Sequence, residues 1–237
     1  MFLSVIIPVY NEDKNIAAVL QEHALLWSRY PKEIVGDWEL VCLNDASTDQ
    51  TAVILKEIAS KNSHVRILIN SINQGITPSF LRLIRESHGT HIYMTAGDGQ
   101  WPAENLARLL SVLQETKADL VVGVREQRMK VYNPWRSLLS YGFNLCAYLL
   151  FGVRAKDANG IKLGRREVFD IPISCQSFFS EIERLIEAKK KQYVITYAPV
   201  LFLPRIHGKE RGGNFKNIVS TFKDMFVYRF KQSMRIP

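Results

Sequence analysis

Short apolar runs rich in β-branched residues alternate along this chain with longer stretches in which apolar residues recur at helical spacing. LSVIIPVY (3–10), WELVCLND (38–45), VRILIN (65–70), THIYMTA (90–96) and ADLVVGVR (118–125) have the length and composition of strands. Between them, NIAAVLQEHALLWSRY (15–30), TAVILKEIASK (51–61), SFLRLIRES (79–87) and AENLARLLSVLQET (103–116) each gather apolar residues on one helical face. Strands that are apolar almost throughout, separated by helices, predict a parallel sheet covered on both sides. The first half therefore reads as a doubly wound α/β unit.

After Arg125 the rhythm breaks. A basic segment, EQRMKVYNPWR, leads to an uncharged run of 17 residues, SLLSYGFNLCAYLLFGV (137–153). GIKLGRREVF follows, then a helix in SFFSEIERLIEAKKK, a strand in YVITYAPVLFL and a long tail. No repeat, low-complexity segment or Ser/Gly-rich linker divides the chain, so it reads as one domain with an elaborated C-terminal half. The uncharged run is shorter than the roughly 20 apolar residues of a membrane span and reads as a buried or interfacial helix. The N-terminus, MFLSVIIPVYNE, lacks a basic lead and is interrupted at Pro8, so it reads as a strand rather than a signal peptide.

Polar residues collect where strands end. In open α/β sheets ligands bind beyond the carboxyl ends of the strands, which predicts that 8–12, 44–49, 73–75 and 96–100 converge on one rim around a polar ligand. Ser47 and Asp49 suit either helix capping or ligand contact. Asp45 stands too early to cap and reads as a ligand contact, for instance accepting hydrogen bonds from a nucleotide base. Asp98 with Gln100 offers oxygen ligands to a hard cation. It equally suits a glycine-rich turn in which the carboxylate bonds its own backbone.

The ordered series SVIIPVYNE, VCLNDASTDQT, NSINQG, TAGDGQWPAE, VVGVR, DANGIKLGRR, EIERLIEAKKKQYVITYAPV and PRIHGK resembles the family 2 glycosyltransferases with the GT-A fold, over roughly residues 3–215. Within that family it is most similar to the polyprenol-phosphate sugar transferases. The resemblance implies an inverting transfer from a nucleotide sugar (GDP- or UDP-sugar) to a polyprenyl phosphate, assisted by Mg²⁺ or Mn²⁺. It implies nucleotide binding by Pro8, Tyr10, Asn11, Glu12, Asp45 and Asp98, and metal binding by Asp98 and Gln100. Arg125, Arg136, Ser140, Arg205 and Lys209 fall where this branch binds the acceptor phosphate, a use that suits guanidinium forks. The catalytic set implied is Asp98, Arg125, Arg136 and Glu181, with Glu181 as base if the acceptor is instead a hydroxyl.

The chain departs from the family pattern in three places. Ala96 stands where a first acid is usual, Asn44 replaces the first of two adjacent acids, and Ile76-Thr77-Pro78 replaces a small or basic stretch. The loss at position 96 leaves open a degenerate nucleotide-sugar-binding module. Mg²⁺ commonly binds through one or two carboxylates with diphosphate and water, so Asp98 and Gln100 could suffice.

Charge sharpens the choice of partner. The chain carries 31 basic against 23 acidic residues, a formal charge of +8, which favours an anionic ligand or surface. No nucleic-acid-binding motif accompanies that charge. Three cysteines without CxxC spacing argue against a disulfide framework or zinc site and for a cytoplasmic setting. In the tail, Phe215, Ile218, Val219, Phe222, Phe226 and Phe230 form a helical stripe with Lys216, Lys223, Arg229 and Lys231 off it. Such a helix suits either docking on an anionic membrane or packing on its own domain. The expected organisation is thus a catalytic domain over 1–213 and a basic amphipathic helix over 214–237, peripheral at the inner face of the membrane.

Overall fold

The computed structural model describes residues 1–27, 35–126, 134–153, 156–208 and 215–234, with backbone alone at 27, 134–140, 215, 216 and 233. The first half runs β1 (Phe2–Val9), α1 (Ile16–Trp27), β2 (Asp37–Asn44), α2 (Thr51–Lys61), β3 (Val65–Ile69), α3 (Ile76–Glu86), β4 (His91–Met94), α4 (Asn105–Thr116) and β5 (Leu120–Arg125). All nine elements read from the apolar pattern are present. Helix α3 starts three residues before the predicted position and takes Pro78 into its first turn. There a missing N–H costs nothing, because first-turn amides lack intrahelical partners.

The second half runs α5 (Pro134–Phe151), β6 (Lys162–Arg165), a single turn α6 (Arg166–Phe169), α7 (Ser180–Lys190), β7 (Ile195–Val200) and α8 (Phe215–Ser233). One sheet of seven strands has the order β3-β2-β1-β4-β6-β5-β7. Strand β6 alone runs antiparallel, between β4 and β5, with Lys162 opposite both Met94 and Val122. It carries no apolar alternation, and the sequence pattern gave no sign of it.

Period-two alternation divides the core. Leu3, Val5, Ile7 and Val9 of β1 face one layer, built with α1, α2 and α4. Ile6 faces the other, built with α3, α5, α6, α7 and α8. Helix α8 packs into that second layer through Met225 and Tyr228, which are buried. Its expected apolar stripe is therefore split: Phe222 is partly buried, while Val219, Phe226 and Phe230 stay exposed.

Candidate active site

The carboxyl ends of the strands open into one cavity of about 520 Å³. Along its floor, following strand order, come Asn73 and Gly75 after β3, Asp45 after β2, Tyr10 and Glu12 after β1, and Asp98 and Gln100 after β4. Asn159 before β6, Arg125 at the end of β5, and Phe202 and Arg205 after β7 complete it. The four loops expected to converge do so. Pro8 is part of the same lining.

Loop-to-loop bonds hold the first two turns together. Asn11 adopts a left-handed conformation (φ 53°), which its short amide side chain tolerates. Its N–H donates to Ser47 Oγ at 2.9 Å and its Oδ1 accepts the Thr48 N–H at 2.7 Å. Asn11 is absent from the cavity lining and holds the neighbouring 47–48 turn. Asp49 accepts the N–H groups of Thr51 (3.0 Å) and Asp13 (3.2 Å). Ser47 and Asp49 thus serve the backbone.

Asp45 has both duties. Its Oδ1 accepts from Asn70 Nδ2 (2.6 Å) and the Gln74 N–H (2.9 Å), and its Oδ2 accepts the Gly75 N–H (2.8 Å). These bonds shape the turn from β3 into α3, where Gly75 takes φ 90°. The same carboxylate lines the cavity, beside a buried Ser79 hydroxyl that has no hydrogen-bond partner among the described residues.

At the centre lie two acids and one guanidinium. Asp98 Oδ1 accepts the Gln100 N–H at 3.1 Å, closing the tight turn at Gly99 (φ 73°). Asp98 Oδ2 stands 3.8 Å from Arg205 Nη1, and Arg205 Nη2 is ion-paired with Glu12. Burial pushes the Asp98 carboxyl above its ordinary range, against the pull of the Gln100 N–H and Arg205. Glu12 is likewise raised by burial, with Asn15 and Arg205 opposing. Two carboxylates made uneasy in their charged form are poised to gain from a further cation. Gln100 spends its amide N–H on the Leu203 carbonyl (3.2 Å), leaving Oε1 as its other polar atom. Among the described residues no three His, Cys, Asp or Glu side chains cluster around one point, so a metal here would rest on Asp98 with oxygen donors of other kinds. That donor set fits Mg²⁺ or Mn²⁺, which keep water and phosphate ligands.

Buried ion pairs build the far wall. Arg125 grips Asp157 through Nε (2.6 Å) and Nη2 (2.5 Å) and stacks over Phe202 and Trp101, with its guanidinium carbon 5.0 and 5.7 Å from the ring centres. Glu181 is not among the lining residues; its Oε2 pairs with Lys162 Nζ at 2.9 Å. Burial works to raise that carboxyl, but the Lys162 and Arg184 charges outweigh it and hold it below the usual carboxylate range. Its neighbour Glu183 accepts the N–H groups of Ser174 and Cys175 and the Ser174 hydroxyl. The backbone of Arg136 and Ser140 lies in α5, and Lys209 lies outside the described residues.

Residues 4–172 match the model for glycosyl transferase family 2. The chain belongs to this family. A dolichyl-phosphate beta-glucosyltransferase of Trichomonas vaginalis is 28% identical over 76% of the chain and 56% of its own length. A dodecaprenyl-phosphate galacturonate synthase of Rhizobium johnstonii is 27% identical over 97% of the chain and 68% of its own length. The chain thus spans little more than half of the first of these relatives. Among solved structures, glucosyl-3-phosphoglycerate synthase from Mycobacterium tuberculosis, in complex with Mn²⁺, UDP and phosphoglyceric acid, superposes with a TM-score of 0.68. It is 16% identical and covers 96% of this chain and 78% of that one. The mannosyltransferase PcManGT from Pyrobaculum calidifontis, in complex with GDP-Man and Mn²⁺, gives 0.67 at 17% identity, over 95% and 64%. The fold is that of these family members, the GT-A fold.

Sequence reasoning passed over Asp157, Asn159, Lys162 and Phe202. Asp157 and Asn159 lie in DANG, part of a block that the resemblance includes, where a lone acid and a closing glycine are the local signal. Their significance depends on β6, whose pairing the apolar pattern does not encode.

Proposed function

We propose that this family 2 chain transfers a glycosyl group, with inversion, from a UDP- or GDP-sugar to a polyprenyl phosphate. One observation carries the reading: by strand order Asp98 stands midway along a single cavity, between a polar end at Asp45, Asn73 and Ser79 and an aromatic end where Trp101 packs on Phe202. A nucleoside suits the first end, a diphosphate the middle and a sugar the second. The names of the two curated relatives, both acting on polyprenyl phosphates, support the acceptor.

Asp98, with Gln100, would hold Mg²⁺ or Mn²⁺, which supplies positive charge against the departing diphosphate. Arg205, already between Glu12 and Asp98, adds a guanidinium to the same region. Pro8, Tyr10 and Glu12 line the nucleotide side, while Asn11 acts through the 47–48 turn. Arg125, Arg136, Ser140 and Lys209 remain the assignment for the acceptor phosphate. A phosphate nucleophile is ionised at neutral pH and needs no base. An ion-paired Glu181 beneath the wall agrees with such an acceptor.

The catalytic unit is residues 1–213, and the remaining helix docks on anionic membrane at the cytoplasmic face. Leu145 and Leu149 of α5 and Val219, Phe226 and Phe230 of α8 are exposed, and the two helices meet through Phe143 and Phe222. Exposed Lys223, Arg229 and Lys231 accompany them. Among the described residues no helix is long and apolar enough to cross a membrane. Salt-sensitive co-sedimentation with anionic liposomes is expected; its absence would remove the docking claim.

The deciding assay incubates the chain with undecaprenyl or dolichyl phosphate and a panel of UDP- and GDP-sugars, with Mg²⁺, Mn²⁺ or EDTA. Lipid-linked sugar that disappears with EDTA is expected. Turnover only with a hydroxyl acceptor would overturn the acceptor, and donor binding without turnover would overturn the enzyme.

A further inference from the structure

Lys162 is fully buried in the middle of the sheet. An ammonium there costs several kcal/mol unless its hydrogens find acceptors. Two of its hydrogens go to the Ala158 carbonyl at 2.6 Å and the Gly160 carbonyl at 3.0 Å, and Glu181 Oε2 stands 2.9 Å away as its ion-pair partner. The two carbonyls flank a single residue, Asn159. Both neighbouring carbonyls are drawn down to the same buried charge, while Glu181 neutralises it from α7.

The loop is also blocked from the side. A Cβ on Gly160 would lie 2.1 Å from the Gly123 carbonyl, so the backbone is pressed against β5 and admits no side chain there. Asp157 is buried and committed to Arg125, and Ala158 and Gly160 are buried too. Asn159 is the one exposed residue of 157–160, and it lines the cavity. Along the rim it stands on the opposite side of Asp98 from Asp45, next to the Trp101 and Phe202 wall. With a nucleoside at Asp45 and a diphosphate at Asp98, the sugar reaches Asn159. A carboxamide both donates and accepts without charge, which matches a hydroxyl group, and aromatic rings suit the apolar faces of a pyranose.

We propose that Asn159 hydrogen-bonds a hydroxyl of the transferred sugar, and that the buried Lys162–Glu181 pair is the device that positions it. The inference rests on the proposed function and adds a sugar-reading residue to it. It gives Glu181 a positioning role, exerted through Lys162, instead of contact with substrate.

The test uses the full chain, N159A, K162M, E181Q and the double variants carrying N159A. Two quantities are read: kcat/KM with the active nucleotide sugar and its single-deoxy analogues, and calorimetric affinity for the nucleoside diphosphate alone. N159A is expected to lower kcat/KM about tenfold, the worth of one hydrogen bond. It should leave nucleoside diphosphate affinity unchanged and erase the penalty for one deoxy position. K162M should lose about as much, and N159A/K162M no more than either single variant, as residues acting through one contact do. E181Q, the milder change, should lower kcat/KM about threefold alone and not at all in the N159A background; this arm stands even if K162M does not fold. Wild-type kinetics in N159A, or losses that multiply in the double variants, would overturn the inference. A wild-type chain that transfers no sugar at all would overturn the proposed function itself, which keeps the two failures apart.

Discussion

Each rim of the sheet draws a carboxylate out of water, almost fully at Glu39 and partly at Asp98, but they treat it in opposite ways. At the amino ends of the strands, Glu39 accepts from Ser4 Oγ (2.6 Å), the His88 N–H (2.5 Å) and Arg66 Nη1 (2.6 Å). Burial pushes its carboxyl up, and these partners more than reverse the push, leaving it below the ordinary range. At the carboxyl ends, Asp98 has one backbone N–H and a guanidinium 3.8 Å away, so burial prevails and its carboxyl is raised. A satisfied acid holds strands together. An acid left under-satisfied at a cavity is held ready for a ligand, at some expense of stability.

The largest effect should come from the under-satisfied acid. Asp98→Asn is expected to cut sugar transfer by about 10²–10³-fold, the usual scale for removing a charge-stabilising group, while the melting temperature holds or rises. Paired rate and melting measurements check this; equal loss of both would erase the contrast between the rims.

Acid should then separate stability from both rims. His23 of α1 is buried, and neither ring nitrogen has a hydrogen-bond partner among the described residues. Burial lowers its pKa from the usual 6.5 to about 4. The unfolded chain therefore binds this proton more readily, and the contribution is intact above pH 6.5 and lost as pH falls toward 4. That loss is on the order of 3 kcal/mol, at about 1.4 kcal/mol per unit. Denaturant titrations of wild type and His23→Leu across that window should diverge. Parallel curves would return acid sensitivity to the carboxylates.

Glu39→Gln should cost about 2 kcal/mol of stability, because Arg66 and the His88 amide lose a charged acceptor in a mostly buried place. Transfer rates should be unchanged once the variant is folded; a fall in kcat would make Glu39 more than structural. The smallest effect is expected from Arg205→Gln. Arg205 opposes the burial of both Glu12 and Asp98, so without it both carboxyls rise further. The acid limb of the pH–rate profile should then move to higher pH, with affinity for nucleoside diphosphate about threefold to tenfold weaker. An unmoved limb would detach Arg205 from the central acids.

Much of the floor of the cavity was legible in the chain. Apolar runs with helical stretches between them require parallel strands, parallel strands put their loops at one rim, and polar residues at 8–12, 44–49, 73–75 and 96–100 therefore met there. The far wall was not legible. Strand β6 is four residues long, begins with a lysine and ends with an arginine, so neither length nor alternation marks it. Glu181 reads as a candidate base at the head of a helix until Lys162, on that unmarked strand, is found beneath it. The tail shows the same limit. Its apolar stripe was visible, but which part of it faces the core depends on how α8 settles against α5, and the outcome buries Met225 while exposing Phe226.

What the sequence determined by itself is the alternation of elements, hence the sheet, its rim and the acids carried there, because periodicity and strand direction are local properties. Which of those acids is satisfied was decided by tertiary structure alone. The partners come from afar: Arg205 meets Glu12 across 193 positions, and Lys162 reaches Glu181 from another layer. A carboxylate's charge is governed by the few ångströms around it, and only folding chooses what occupies them.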